Sequence, residues 1–262
     1  MRYTQTLRML NGLKWLAIVF AAFYALVVII AASNGFLGHI PHGDKKFEIP
    51  LPALFALAAF VTCIFCSSYG RTLSSENEDH LPVVWTRPKS RLQTTLTIVG
   101  VDSLGMLAAF AMYLLLTAVF ITTFQVWHYV TVPSDALAQF GRYIVQPFAF
   151  YALVMALTAS TGCAGRGLVG WFWVGAIFLG ILAASPFIPN PWHAIFNYVN
   201  FLNPLAYGSY HTTSGTETIN VMGGPTPTYV AGLAPVMDAA ALLILFAAGL
   251  TLGLIQWRRL EA

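Results

Sequence analysis

Six apolar stretches, each close to twenty residues or longer and nearly free of charge, set the terms for this chain. They run over about 15–33, 50–69, 94–124, 143–162, 168–188 and 235–257. A helix needs about 20 apolar residues to cross about 30 Å of hydrocarbon. No water is present there to satisfy an open backbone, so each run reads as a membrane-crossing helix. The third run is too long for one helix standing perpendicular to the membrane, which predicts tilt or projection. Only Cys163–Gly167 separates the fourth run from the fifth, which predicts an antiparallel hairpin. Composition agrees: 58% of the residues are hydrophobic and 9% are charged, against about 25% charged in soluble domains. The expected fold is an all-α membrane protein with six transmembrane helices, residues 1–262 forming a single transmembrane domain.

Lys and Arg set the orientation. With a cytoplasmic N-terminus, the inner face holds Arg2, Arg8, Lys14, Arg71, Arg87, Lys89, Arg91, Arg166, Arg258 and Arg259, and the outer face holds Lys45, Lys46 and Arg142. Basic residues accumulate on cytoplasmic loops, so both termini are expected in the cytoplasm. The net charge of +3 lies in short loops. It points to membrane orientation and away from nucleic acid. Arg2 and Arg8 before an apolar run also resemble the start of a signal peptide. The run exceeds the ~7–15 residues of a signal core, and a retained helix is expected. Tyr3, Leu7 and Leu10 share one face, so a short interfacial helix or a frayed polar tail can precede the first span.

Two loops stand out. Pro189–Ala234 is long and lacks Lys and Arg. Within it Trp192, Phe196, Tyr198, Phe201 and Tyr207 alternate with Asn197, Asn200 and Asn203, a mixture suited to the interface. Short helices lying at or dipping into the outer leaflet are expected there, and Thr212–Thr228 reads as an irregular loop. The other loop, Arg71–Gln93, is dense in charge. Ser75-x-x-Glu78 fits a capping box, and Pro82 interrupts any helix begun there. Leu81, Val84 and Trp85 form an apolar cluster. Thr86, with Pro88 two residues later, marks a fresh helix start leading into the third span.

Chemistry-bearing patterns are sparse. There is no G-x-x-x-x-G-K-[ST], H-E-x-x-H or G-x-S-x-G sequence, and no catalytic, cofactor-binding or metal set is expected. His39-x-x-His42 beside Asp44 lacks an obvious third ligand and reads as solvated loop. Cys63 and Cys66 have redox spacing but sit in an apolar run, where small packing residues are the simpler reading. Asp102 and Asp238 are the acids inside the predicted spans. A carboxylate in the bilayer is costly and marks a possible intramembrane polar site. Asp238, three residues after Pro235, fits a first-turn acid at the outer interface. Asp102 lies deeper, where structural pairing, a water-lined cavity and proton transport all remain open.

The loop resembles that of the type-2 ABC exporter permeases. In that family it reads Glu, a Leu-rich stretch, then Thr/Ser-Arg/Lys-Pro-x-Ser-Arg; here Glu78, Leu81 and Thr86-Arg87-Pro88-Lys89-Ser90-Arg91 follow in that order. Pro82 and Lys89 depart from the pattern. The resemblance implies a multi-pass permease of a bacterial plasma (inner) membrane. It would pair as a homo- or heterodimer and dock cytoplasmic ABC ATPase subunits through Glu78, Leu81, Val84, Trp85 and Arg87. The chain itself would be no enzyme: ATP would be hydrolysed in the partner, and an unspecified substrate exported. Membrane lipid is the remaining expected partner, with no cofactor and no nucleic acid. The rival readings are an ion-coupled secondary transporter or channel with Asp102 as the coupling carboxylate, and a non-transporting scaffold subunit.

Overall fold

The computed structural model describes residues 2–33, 49–70, 91–134, 136–161, 165–185, 187–189, 191–208, 210–211, 218–219 and 234–259. Seven α-helices cover most of them. They are α1 (Arg2–Ser33), α2 (Leu51–Tyr69), α3 (Arg91–Thr123), α4 (Ala136–Thr158), α5 (Gly165–Ala184), α6 (Trp192–Asn200) and α7 (Ala234–Arg259). Two 3-10 helices, Val126–Tyr129 and Pro204–Gly208, complete the helical structure. Strand is confined to two-residue pieces. Ile49–Pro50 (β1) pairs in parallel with Val130–Thr131 (β2). Tyr210–His211 (β3) pairs antiparallel with Thr218–Ile219 (β4), so the expected irregular loop contains a short hairpin contact.

Among the described residues, five helices are long and apolar enough to cross a membrane: the segments Thr6–Leu26, Leu51–Tyr69, Leu92–Thr123, Ala136–Thr158 and Val236–Trp257. The expected fifth span is shorter, with an apolar part of Gly167–Ala183. Its helix stops at Ala184, just ahead of Pro186, Pro189 and Pro191; a proline also disfavours helix in the residue before it. Hydroxyls inside the apolar helices are satisfied locally. Thr62, Thr122, Thr123, Thr158 and Thr251 each donate to the carbonyl four residues back, at 2.7–2.9 Å. That bond lets a threonine sit in hydrocarbon without an orphaned donor.

Two boundaries differ from expectation for identifiable reasons. The first span is not preceded by a separate element: α1 is one helix from Arg2 to Ser33. Leu7 and Leu10 are 47% and 55% exposed, whereas Met9, at 4%, packs onto Gly105 of α3. The third run is a single unbroken helix of 33 residues, about 50 Å long at 1.5 Å per residue. The fourth helix begins at Ala136 rather than Tyr143, because Arg142 belongs to the helix and not to an outer loop.

α4 is the centre of the bundle. It packs most extensively on α7 and next on α2. Two glycines of α7 permit the first contact. A Cβ on Gly249 would lie 2.8 Å from the Ala152 carbonyl carbon, and one on Gly253 would lie 2.7 Å from Met155 Cε. Small residues four apart bring helix backbones together where lipid supplies no hydrophobic drive. α1 is peripheral and rests on α3 through Phe20 edge-on to Tyr113, at 5.3 Å between centroids, and through a 2.7 Å hydrogen bond between the Tyr24 and Thr123 hydroxyls. Cys63 and Cys66 are fully buried packing residues of α2.

Candidate functional site

Glu78, Leu81, Val84, Trp85 and Arg87, the docking cluster expected from the sequence, lie outside the described residues, as do His39, His42 and Asp44. Among the described residues, no group of three or more His, Cys, Asp or Glu side chains is placed to hold a metal ion. The described polar chemistry gathers instead at two depths of the bundle, in a re-entrant segment and along one groove.

Towards its N-terminal end, one face of α4 carries Gln139, Arg142 and Gln146 at helical spacing, all buried. Arg142 Nη1 donates to Asp238 Oδ2 of α7 at 2.8 Å, and the Arg142 side chain is 1% exposed. Arg142 Nη2 donates to the Tyr143 hydroxyl, and the guanidinium carbon stands 4.5 Å from the centroid of that ring. An unpaired guanidinium there would carry an uncompensated charge in hydrocarbon. Asp238 is therefore not a first-turn acid: it lies just past the first turn of α7 as the counter-ion of Arg142. The sequence held a signal for this in the polar i, i+3, i+7 stripe of Gln139, Arg142 and Gln146 within an apolar run.

The segment between α5 and α7 enters the bundle. Gln146 Nε2 donates to the Pro204 carbonyl at 3.0 Å, and Asn203 Nδ2 donates to the Ala176 carbonyl of α5 at 2.9 Å. Asn203 also accepts from the Leu205 backbone N–H at 3.1 Å, which turns the chain from α6 into the 3-10 helix. Leu205 is buried in the same core as α2 and α4. The 3-10 helix Pro204–Gly208 therefore enters the protein where α2, α4, α5 and α7 meet, whereas α6 packs on α5 and stays largely exposed.

Nearer the other end, Asp102 of α3 is buried and accepts a 2.7 Å hydrogen bond from the Tyr151 hydroxyl of α4. Arg8 of α1 is close enough to attract it electrostatically. The Arg8 carbonyl accepts from the Tyr69 hydroxyl of α2 at 3.2 Å, and Thr158 Oγ1 lies 3.2 Å from the Gly70 carbonyl. Asp102 is thus paired structurally, and its hydrogen bond ties together two helices that otherwise touch little.

Beside these residues, α1 and α3 enclose a groove of about 670 Å³, lined by Thr6, Gln93, Leu96, Thr97, Gly100, Val101 and Leu104. Thr97 bonds the Gln93 carbonyl at 2.7 Å, and a Cβ built on Gly100 meets nothing within 4 Å.

No protein-family model matches this chain, and comparison with curated proteins and with solved structures finds no match either.

Proposed function

We propose that this chain is the permease subunit of an ATP-driven ABC exporter, with six spans and both ends in the cytoplasm. The observation that carries the reading is the sequence Glu78…Leu81…Trp85-Thr86-Arg87-Pro88-Lys89-Ser90-Arg91, set between two apolar helices and running directly into the first residue of α3. A short re-entrant element between α5 and α7 supports it, because the resemblance expects short helices at that place in the chain. The charge distribution supports the orientation: ten basic residues lie towards the proposed inner face, against Lys45, Lys46 and Arg142 towards the outer one. In this reading the fifth of the six spans is α5, short in apolar length and followed by α6. Two such subunits pair and bind two ATPase subunits, and ATP-driven closure of the ATPases is passed through the 71–90 connection into α2 and α3. The chain's role is conformational coupling.

The test is reconstitution with and without the ATPase. Transport should require the ATPase and nucleotide, and Trp85→Ala should weaken ATPase co-purification by about thirtyfold, roughly 2 kcal/mol. Membrane insertion should be unchanged. Full docking and transport by Trp85→Ala would reduce the 71–90 connection to a simple linker.

One observation favours a second reading. Asp102 is a buried acid bonded to Tyr151 in the interior of the bundle, and intramembrane carboxylates serve ion-coupled transporters. Transport by the purified chain alone, driven by an ion gradient and without nucleotide, would select that reading over the exporter.

A further inference from the structure

Gln146 is bonded through one end of its amide. The residue is 2% exposed, and Nε2 donates to the Pro204 carbonyl at 3.0 Å. A carbonyl only accepts, so the NH2 group must face Pro204 and the amide cannot be turned over. Oε1 therefore points away from Pro204, where it is buried and has no hydrogen-bond partner among the described residues. A dry amide oxygen in a protein interior is costly, and folded chains rarely leave one.

The donors of the re-entrant segment are committed elsewhere. Asn203 Nδ2 serves the Ala176 carbonyl and Asn200 Oδ1, the Leu205 N–H serves Asn203 Oδ1, and the Tyr207 hydroxyl serves the Phe201 carbonyl. On a helix a side chain covers the turn before its own Cα. The Gln146 amide accordingly lies over Arg142 and Tyr143, four and three residues back on α4. Arg142 Nη1 and Nη2 serve Asp238 and Tyr143. The same guanidinium restricts the charge of any donor that comes from outside the chain, because a cation would meet a buried arginine one turn away. A small neutral donor fits, and water is the one at hand. We infer that one water molecule is bound on this face of α4, donating to Gln146 Oε1 and keeping its lone pairs for N–H or O–H groups of the Arg142–Tyr143 pair. Buried waters typically make about three such bonds to groups the chain cannot satisfy alone. Gln146 then joins the re-entrant element to the ion pair: one end of its amide holds Pro204, and the other holds the water. The inference is independent of the exporter reading and of orientation.

Radiolytic labelling of the full-length protein in detergent micelles tests this. A short X-ray pulse splits a bound water where it sits, the hydroxyl radical oxidises the side chain beside it, and mass spectrometry reads the oxidised residue. Tyr143 is fully buried and should nevertheless be marked. Met106, 1% exposed within the apolar core, is the control. Its sulfur is readily oxidised, so radicals arriving from bulk water would mark it too. Gln146→Leu removes the acceptor and should lose the Tyr143 signal, whereas Gln146→Glu keeps an acceptor oxygen and should retain it. An unmarked Tyr143 in wild type, a signal unchanged by Gln146→Leu, or equal loss in both variants would overturn the site. Comparable marking of Met106 and Tyr143 would overturn it in favour of transient opening of the bundle. The wild-type measurement needs no variant, so it decides the matter even where Gln146→Leu folds poorly.

Discussion

α4 and α7 pair by one set of devices and α1 and α3 by another. The α4–α7 seam combines glycine-enabled backbone approach at Gly249 and Gly253 with a buried ion pair at Arg142 and Asp238. The α1–α3 seam uses aromatic edges, the Met9–Gly105 contact and one exposed hydroxyl pair, and just 6% of the apolar stretch of α1 is buried, against 61% for α4. The first seam fixes position and register; the second holds a peripheral helix whose remaining surface no other part of the described bundle covers. The difference teaches where this bundle tolerates change: charge and volume are constrained along α4, and much less along α1.

The largest effect should come from breaking the ion pair. Arg142→Ala leaves Asp238 buried and unpaired and should cost about 3–5 kcal/mol, measured by reversible unfolding in mixed micelles. Arg142→Met combined with Asp238→Leu should recover most of that loss, because removing both charges removes the desolvation penalty with the attraction. A double variant as unstable as the single one would show that the pair does more than balance charge. Next comes Gly249→Leu, whose first side-chain carbon already meets the Ala152 backbone. It should cost about 1–3 kcal/mol, while Gly170→Leu on α5, where a Cβ meets nothing within 4 Å, should stay within about 0.5 kcal/mol of wild type. Equal costs at the two glycines would erase the distinction between seam and surface. The smallest change is expected for Tyr24→Phe on α1, about 0.6 kcal/mol, the usual size of an interhelical hydrogen bond in a membrane. A loss above 2 kcal/mol there would move α1 into the core.

Much of the helical organisation was legible in the sequence, because apolar length alone places spans. Val236–Trp257 and Leu51–Tyr69 fall within a residue of the expected limits. The packing role of Cys63 and Cys66 followed from the same patterning. Arg142 was misread because charge is a reliable mark of loops only when it is unpaired, and its partner is 96 residues away. The inward turn at Asn203 was half legible. The alternation of Asn with aromatic residues announced an interfacial element, but the Ala176 and Pro204 carbonyls that draw it into the bundle leave no trace in a local pattern. The packing of Met9 onto Gly105 was not legible, because the gap it fills belongs to another helix.

The distance between Arg142 and Asp238 along the chain also has a consequence for biogenesis. The arginine is synthesised well before its counter-ion, and through that interval α4 presents a cation with no carboxylate to meet it. A lone arginine at the centre of a membrane helix costs about 2.5–3.5 kcal/mol at insertion. This one stands two turns from the end of its helix, so it can wait at the headgroups until α7 arrives. Maturation of the bundle is therefore tied to α7, and in a chain truncated before Asp238 the α4 arginine should stay at the headgroups and keep α4 from its final depth.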